Sequence, residues 1–278
     1  MYQPMLGLKG SASQSQIKDR LQYHPQVYEF FTAAQDISDE GLKRLADGID
    51  QVKAAGVKHV VVHHPMKFHG RNTDVVAPER QYPELYAFIE DSTAKLLRVV
   101  IDHGAQLLVH GGYMGNVPEY LPLYQDISAA RQAVLERLDR FAKDGGNHIM
   151  FENSIAAVFC YGDPAQEDEI LSHHYRLAFD TSHCFIAAHG SNNVLQASLK
   201  HLAPNVVHYH LVDSMGQTHD SLQLGKGKID WAGVFPLLNP KATSIYEINL
   251  HNQEVCTEQV ASHRYLSRVY QQLIDHQK

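Results

Sequence analysis

Leu177-Ala-Phe-Asp-Thr-Ser-His-Cys184 is a short apolar run that stops at Asp180, with His183 three residues further on. An apolar run of this length reads as a buried strand. The acid at its last position and the imidazole in the following turn set two metal-competent side chains at one strand end. A buried acid needs a partner, and a divalent cation is the strongest one available. The plainer alternative is that Asp180 caps the next helix.

Working outward, most other strands end in the same kind of residue. Upstream, Ser38-Asp39 offers an N-cap, and Leu42, Leu45, Ala46, Ile49 and Val52 recur at helical spacing up to Gly56. Val57-Lys-His-Val-Val-Val-His63 follows at once. Leu85, Phe88, Ile89, Leu96, Leu97 and Val100 mark a second helix, closed by Gly104 and followed by Gln106-Leu-Leu-Val-His110. Ala133, Val134, Leu138 and Phe141 mark a third, closed by Gly145-Gly146 and followed by His148-Ile-Met-Phe-Glu152. The order helix, glycine, strand, polar residue thus occurs in three consecutive units.

Met5-Leu6-Gly7-Leu8 and Val27-Tyr-Glu-Phe-Phe31 are expected as the first two strands, with a polar Ser/Gln/Lys segment after the first. Residues 176–180, 206–212 and 243–247 complete eight, with helices expected over 192–201 and 229–238 and around Leu266, Val269, Tyr270 and Leu273. Eight alternating units without a linker imply parallel strands joined by right-handed crossovers. The fold class predicted is α/β, a single-domain (β/α)8 TIM barrel over 1–278. A doubly wound open sheet is disfavoured because no strand is followed by a Gly-rich phosphate fingerprint. In a barrel the C-terminal strand ends converge on one face, so His63, His110, Glu152, Asp180, His210 and Glu247 are expected together.

Composition narrows the function classes. The net charge is −7 and no Lys/Arg run is longer than Lys43-Arg44, which counts against a nucleic-acid grip. Three cysteines without CxxC spacing give neither a disulfide framework nor a zinc ribbon. No leader-like start and no apolar run long enough for a membrane are present, so a cytoplasmic, soluble chain is expected. The 19 histidines invite a search for ligand geometry.

Glu152, Asp180, His210 and Glu247 make a hard, charge-rich donor set suited to Mn, Mg, Co or Zn. One divalent ion is expected there; His63 and His110, with Glu152 as a bridge, offer a second position. His208 shares a strand face with His210, so either would serve, and Asp213 is a candidate for supporting a ligand. His64 is expected in packing or solvent. Lys67, His69, Arg71 and Arg80 lie in a loop over the site and would suit an anionic substrate; a plain loop is the alternative. Residues 224–230 are glycine-rich and would admit a phosphate, a sugar or only a turn. Tyr113, Tyr120 and Tyr124 would stack on a substrate ring or pack as a lid.

Phe151-Glu152-Asn153, Phe179-Asp-Thr-Ser-His183, His208-Tyr-His-Leu-Val-Asp-Ser214, Leu224-Gly-Lys-Gly227 and Tyr246-Glu247 occur in an order that resembles the xylose isomerase-like barrels. That superfamily holds sugar isomerases and epimerases together with endonuclease IV (apurinic endonuclease family 2). The resemblance spans nearly the whole chain. It implies that Glu152, Asp180, His210 and Glu247 match the metal set shared by both branches. Leu107-Leu-Val-His110 resembles the endonuclease-type strand that supplies a further zinc ligand, with His63 as its partner. The endonuclease pattern also expects Asp-x-His before the glycine-rich turn, which with His183 holds a third zinc. Here Thr218-His-Asp-Ser-Leu-Gln-Leu224 places Ser221 at the second of those positions, with His219 and Asp220 nearby. A hydroxyl is a poor zinc ligand beside imidazole, which argues against a trinuclear site.

Two activities follow from the resemblance. As an isomerase or epimerase of a small carbohydrate, one ion would stabilise an enediolate, Glu152 and Glu247 would be the acid/base pair, and His183 would position an oxygen. As a zinc phosphodiesterase, two or three ions would activate water and His63 and His110 would be essential. The acidic charge, Ser221 and the lack of a basic stripe favour the first. A non-catalytic sugar-binding barrel is the third class; homo-oligomerisation stays open.

Overall fold

A computed structural model describes residues 2–276. The alternating pattern resolves into the strands β1 (Gly7–Gly10), β2 (Val27–Phe31), β3 (His59–His63), β4 (Gln106–His110), β5 (Ile149–Glu152), β6 (Leu177–Asp180), β7 (Val206–His210) and β8 (Thr243–Ile245). Each pairs in parallel with the next in chain order, and all eight lie in one sheet. An open doubly wound sheet would show a reversal of order; here there is none, and the sheet curls into a nearly closed barrel. The outer helices are α1 (Gln14–Leu21), α2 (Asp39–Ala54), α3 (Pro83–Asp102), α4 (Ile127–Gly145), α5 (Pro164–Ser172), α6 (Asn192–Leu202), α7 (Trp231–Val234) and α8 (Thr257–Asp275).

Local chemistry sets the boundaries. Ser38 accepts the Gly41 N–H as the N-cap of α2, and Asp126 does the same for Ala129 at α4. The glycines that close the three repeated helices all take positive φ: +99° at Gly56, +61° at Gly104 and +50° at Gly146. Only glycine reaches that region without a Cβ penalty, which turns the chain from helix into strand.

The start of the chain departs from the sequence expectation. The first strand begins two residues later than Met5, and the polar segment after it forms α1, capped by Ser13. Fully buried Arg20 explains why that helix is held. Its guanidinium donates to the carbonyls of Lys9 (3.2 Å), Glu254 (3.0 Å) and Gln253 (2.8 Å), tying β1 to the loop after β8. Tyr2 Oη donates to Ser244 Oγ at 2.7 Å across the same seam. At Gly7 a Cβ would collide with the Ser244 backbone, so the close approach of first and last strands needs glycine there.

Most of the core lies between sheet and helices. Inside the barrel, Val61, Leu108, Met150 and Ala178 form a separate apolar cluster on β3 to β6. Two residues further along each strand, on the same inward face, stand His63, His110, Glu152 and Asp180. Among the described residues no helix is long and apolar enough to cross a membrane.

Candidate metal centre

The strand ends meet as the period-2 pattern requires. His110 is in register with Glu152, and Asp180 with His210, so each pair stands side by side on adjacent strands. Glu152, Asp180, His210 and Glu247 bring one donor atom each within 4.8 Å of the others, as do His63, His110 and Glu152. All six predicted residues therefore gather at one end of the barrel, with Glu152 common to both groups. All are buried except Glu247, whose side chain is 24 % exposed.

His63 is oriented by its own neighbour. Its Nδ1–H donates to the His64 carbonyl at 2.8 Å, which leaves the Nε2 lone pair facing the site. Burial, helped by Lys9 and His110, pushes its pKa down to about 4, so the ring is neutral at pH 7. Nε2 lies 3.2 Å from His110 Nε2 and 3.8 Å from Glu152 Oε2, and His110 Nε2 is 2.9 Å from that oxygen. Donors on a tetrahedral zinc with bonds of about 2.05 Å stand about 3.3 Å apart. The three atoms are thus spaced as one face of such a site.

His210 has carboxylates on both sides. Nε2 contacts Glu29 Oε2 at 2.9 Å, while Nδ1 faces Glu152 Oε1 (3.1 Å) and Glu247 Oε2 (2.5 Å). Burial disfavours the charged ring, but Glu152, Glu247 and Glu29 outweigh it and hold the pKa well above its usual value. Glu152 and Glu247 are held well below the usual carboxylate range: burial would raise both, but His110 and His210 lower the first, and His210 and Lys9 the second. Burial likewise opposes charge on His183, but Asp180 and Glu152 raise its pKa. The carboxylates of Glu29, Glu152 and Glu247, with Asp180 beside them, still outnumber these cations in a largely buried pocket, which is the chemistry a divalent cation satisfies.

Asp180 takes the plainer of the two roles that the sequence offered, that of helix cap, and also stands in the candidate donor group. Oδ1 accepts Ser182 Oγ–H (2.8 Å) and the His183 N–H (2.7 Å) as N-cap of the short helix Thr181–Ala187, leaving Oδ2 for the site. His183 Nδ1–H donates to the Asn153 carbonyl at 2.9 Å, and its Nε2 meets His219 Nε2 at 2.9 Å. His219, rather than Ser221, is therefore the residue brought to His183, and Ser221 sits in a left-handed turn (φ +45°). Among the described residues no group of three metal-competent donors includes that pair.

Several neighbours of the site differ from expectation. Asp213 does not support a ligand. Its oxygens accept the N–H groups of Ser214, Gly225 and Ile229 and the Trp231 indole N–H, so the glycine-rich turn wraps a carboxylate. Arg71 is paired with Glu119 at 2.7 Å and lies over the Tyr82 ring. Of the three loop tyrosines only Tyr113 reaches the centre, stacked on His110 with centroids 4.4 Å apart; Tyr120 packs on Tyr82, and Tyr124 donates to the Val76 carbonyl. His64 turns outward to Ser92 Oγ at 2.7 Å, as expected. His208 points into the barrel beside His210 but meets Glu29 and Thr243.

Two residues escaped the sequence reading. Glu29 is a fully buried acid inside β2, and Lys9 is the third residue of the shifted β1, with Nζ 3.0 Å from Glu29 Oε1 and bonded to Glu247 Oε1. The available signal was a lone acid between aromatic residues in Tyr28-Glu-Phe30.

Solved structures share this architecture. A D-tagatose 3-epimerase-like protein superposes with a TM-score of 0.71 at 16 % identity, over 99 % of this chain and 100 % of its own. The D-psicose 3-epimerase of Clostridium cellulolyticum H10, solved with D-tagatose, gives 0.62 at 14 % identity, over 98 % of this chain and 97 % of its own. A Thermus thermophilus protein, TTHB071, soaked with ZnCl2, gives 0.65 at 19 % identity, over 96 % and 98 %. At these identities the likeness is one of fold. No curated protein matches in sequence. The profile of the family described as xylose isomerase-like TIM barrel, however, matches residues 29–263, from the buried acid of β2 to α8. The chain belongs to the xylose isomerase-like TIM-barrel family.

Proposed function

We propose that the protein is a divalent-metal-dependent isomerase or epimerase of a small sugar or sugar phosphate. The observation that carries this reading is the convergence of Glu152, Asp180, His210 and Glu247, with Glu247 alone partly open to solvent. A cation held by these four would supply a Lewis acid for adjacent oxygens of a hydroxy-carbonyl substrate. The chain's own residues supply the rest. Glu152 and Glu247 are both ionised at neutral pH, so either can accept the proton on the carbon next to the carbonyl. The C–H electron pair moves to the carbonyl oxygen; the second carboxyl, protonated from water, gives a proton to carbon, and the first releases to water the proton it took, so that both end ionised. His183, fixed by Asn153, has Nε2 against His219, and a substrate oxygen would reach it by displacing that ring. Tyr113 over His110 helps keep water out of the pocket floor.

The test is exchange. Chelator-treated protein reloaded with Mn²⁺ or Co²⁺ and incubated in D2O with ketoses, aldoses and their phosphates should place deuterium on the carbon beside the carbonyl of at least one. No exchange across the panel, with cleavage of a small phosphodiester instead, would sink the reading in favour of hydrolysis. One observation favours that second reading: the spacing of His63, His110 and Glu152, which gives a second cation a place beside the first.

A further inference from the structure

Below the ring of candidate ligands, the barrel interior is divided. On β3 to β6 it is apolar, with Val61, Leu108, Met150 and Ala178. On the four strands around the seam it is polar. Lys9 on β1 is in register with Glu29 on β2, and His208 on β7 with Thr243 on β8. An isolated carboxylate is costly to bury, yet Glu29 is 0 % exposed, and it is paired on both oxygens. Oε1 lies 3.0 Å from Lys9 Nζ; Oε2 lies 3.2 Å from His208 Nε2 and 2.9 Å from His210 Nε2. Glu29 lies within donor distance of His208 and His210, and of His63 and Glu247, but an ammonium beside one oxygen and two imidazoles on the other engage it with these neighbours.

The hydrogen-bond directions run one way. The Thr243 hydroxyl donates to His208 Nδ1 at 2.6 Å, His208 Nε2–H donates to Glu29, and Glu29 also accepts His210 Nε2–H. That leaves Nδ1 as the His210 nitrogen turned to the site, between Glu152 and Glu247. Lys9 also holds Glu247 Oε1, so only Oε2 of that carboxylate is directed to the site.

We infer that Lys9, Glu29 and His208 form a buried brace that presets two candidate ligands, the Nδ1 of His210 and a single oxygen of Glu247, for the cation. The inference rests on the reading of the centre as a metal site. The brace acts through ligands and touches no substrate, so its members are positioning residues. Carboxylates that orient ligating histidines are worth about 10–100-fold in metal affinity.

The experiment measures Mn²⁺ and Zn²⁺ affinity of the chelator-treated full chain by calorimetric titration, beside the melting temperature of the metal-free form. Glu29→Gln and Lys9→Met are each expected to weaken binding by about 10–100-fold. In Glu29→Gln the amide would still accept one proton but would turn an NH2 toward Lys9 or His208. A merely structural role would lower the melting temperature and leave the affinity of the folded protein unchanged, and that result overturns the brace. Wild-type protein that takes up neither cation refutes the metal reading instead. If the variants do not fold, nitrogen-15 spectra of the histidines in zinc-loaded wild type decide. His208 and His210 protonated on Nε2 support the brace, and an Nδ1-protonated His210 overturns it.

Discussion

The Nε2 atoms of His63 and His110 face each other across 3.2 Å, and the His63 proton is drawn to the opposite nitrogen by the His64 carbonyl. This geometry predicts that His110→Ala lowers the cation stoichiometry by one equivalent and leaves the equivalent at Glu152, Asp180, His210 and Glu247. The affinity of the lost position should fall by more than about 100-fold, since even an outer partner of a ligand is worth 10–100-fold. Elemental analysis of protein purified without chelator or affinity metal checks it. Equal metal content in wild type and variant would rule out a cation between the two rings.

Glu247→Gln separates the two readings of the chemistry. The substitution keeps the shape but removes a proton acceptor, and turnover in an isomerase or epimerase should fall by about 10²–10⁴-fold. His110→Ala should cost less than about 10-fold in the same assay if a single ion suffices for that chemistry. Equal losses from both, measured as kcat/KM on the active substrate, would move the assignment to the two-ion hydrolase.

Asp74 gives a pH dependence away from the centre. Its carboxyl is fully buried, Oδ1 accepts the Tyr113 N–H, and Oδ2 has no hydrogen-bond partner among the described residues. Burial pushes its pKa up to about 7, and Tyr113 and Tyr120 are the titratable groups that feel its charge. A folded-state pKa above the unfolded value of about 3.9 means that the folded chain binds the extra proton between roughly pH 4 and 7. This contribution to stability is therefore largest below pH 4, declines as pH rises to 7, and stays low above it. Asp74→Asn should flatten the profile and gain on the order of 2–4 kcal/mol at pH 8 in urea unfolding. A variant less stable than wild type at pH 8 would contradict the assignment.

Asp213→Ala should act on the glycine-rich turn and not on metal affinity. Four N–H donors lose their acceptor, at a cost of roughly 2–5 kcal/mol. Limited proteolysis should find new cleavage between residues 214 and 230, while cation titration of the folded protein should be unchanged.

Which parts were legible in the sequence follows from the range of each interaction. His63, His110 and Glu152 could be read because each ends a strand opened by a local signal, a helix closed by glycine, and Asp180 because it ends a short apolar run. Their meeting then follows from barrel geometry. Glu29 could not be read in this way, since it lies inside β2 and its imidazole partners, His208 and His210, come from β7, far along the chain. Lys9 was hidden by a two-residue error in the first strand, a boundary fixed not by local propensity but by Arg20 and the close packing of Gly7 on Ser244. Asp213 was misassigned for the opposite reason. It continues a strand of ligand-type residues, yet a turn that follows it in sequence takes up its oxygens.

The seam also has a temporal meaning. Lys9 lies in the first strand and its partner Glu247 comes 238 residues later, just after the last. During biosynthesis the early strands emerge with most of the donors, but the centre lacks Glu247 until the last barrel strand has been made. On the proposed reading, capture of a cation at full strength would therefore be a closing event, and a chain cut short before Glu247 would leave an open acidic trough in place of the four-donor cluster.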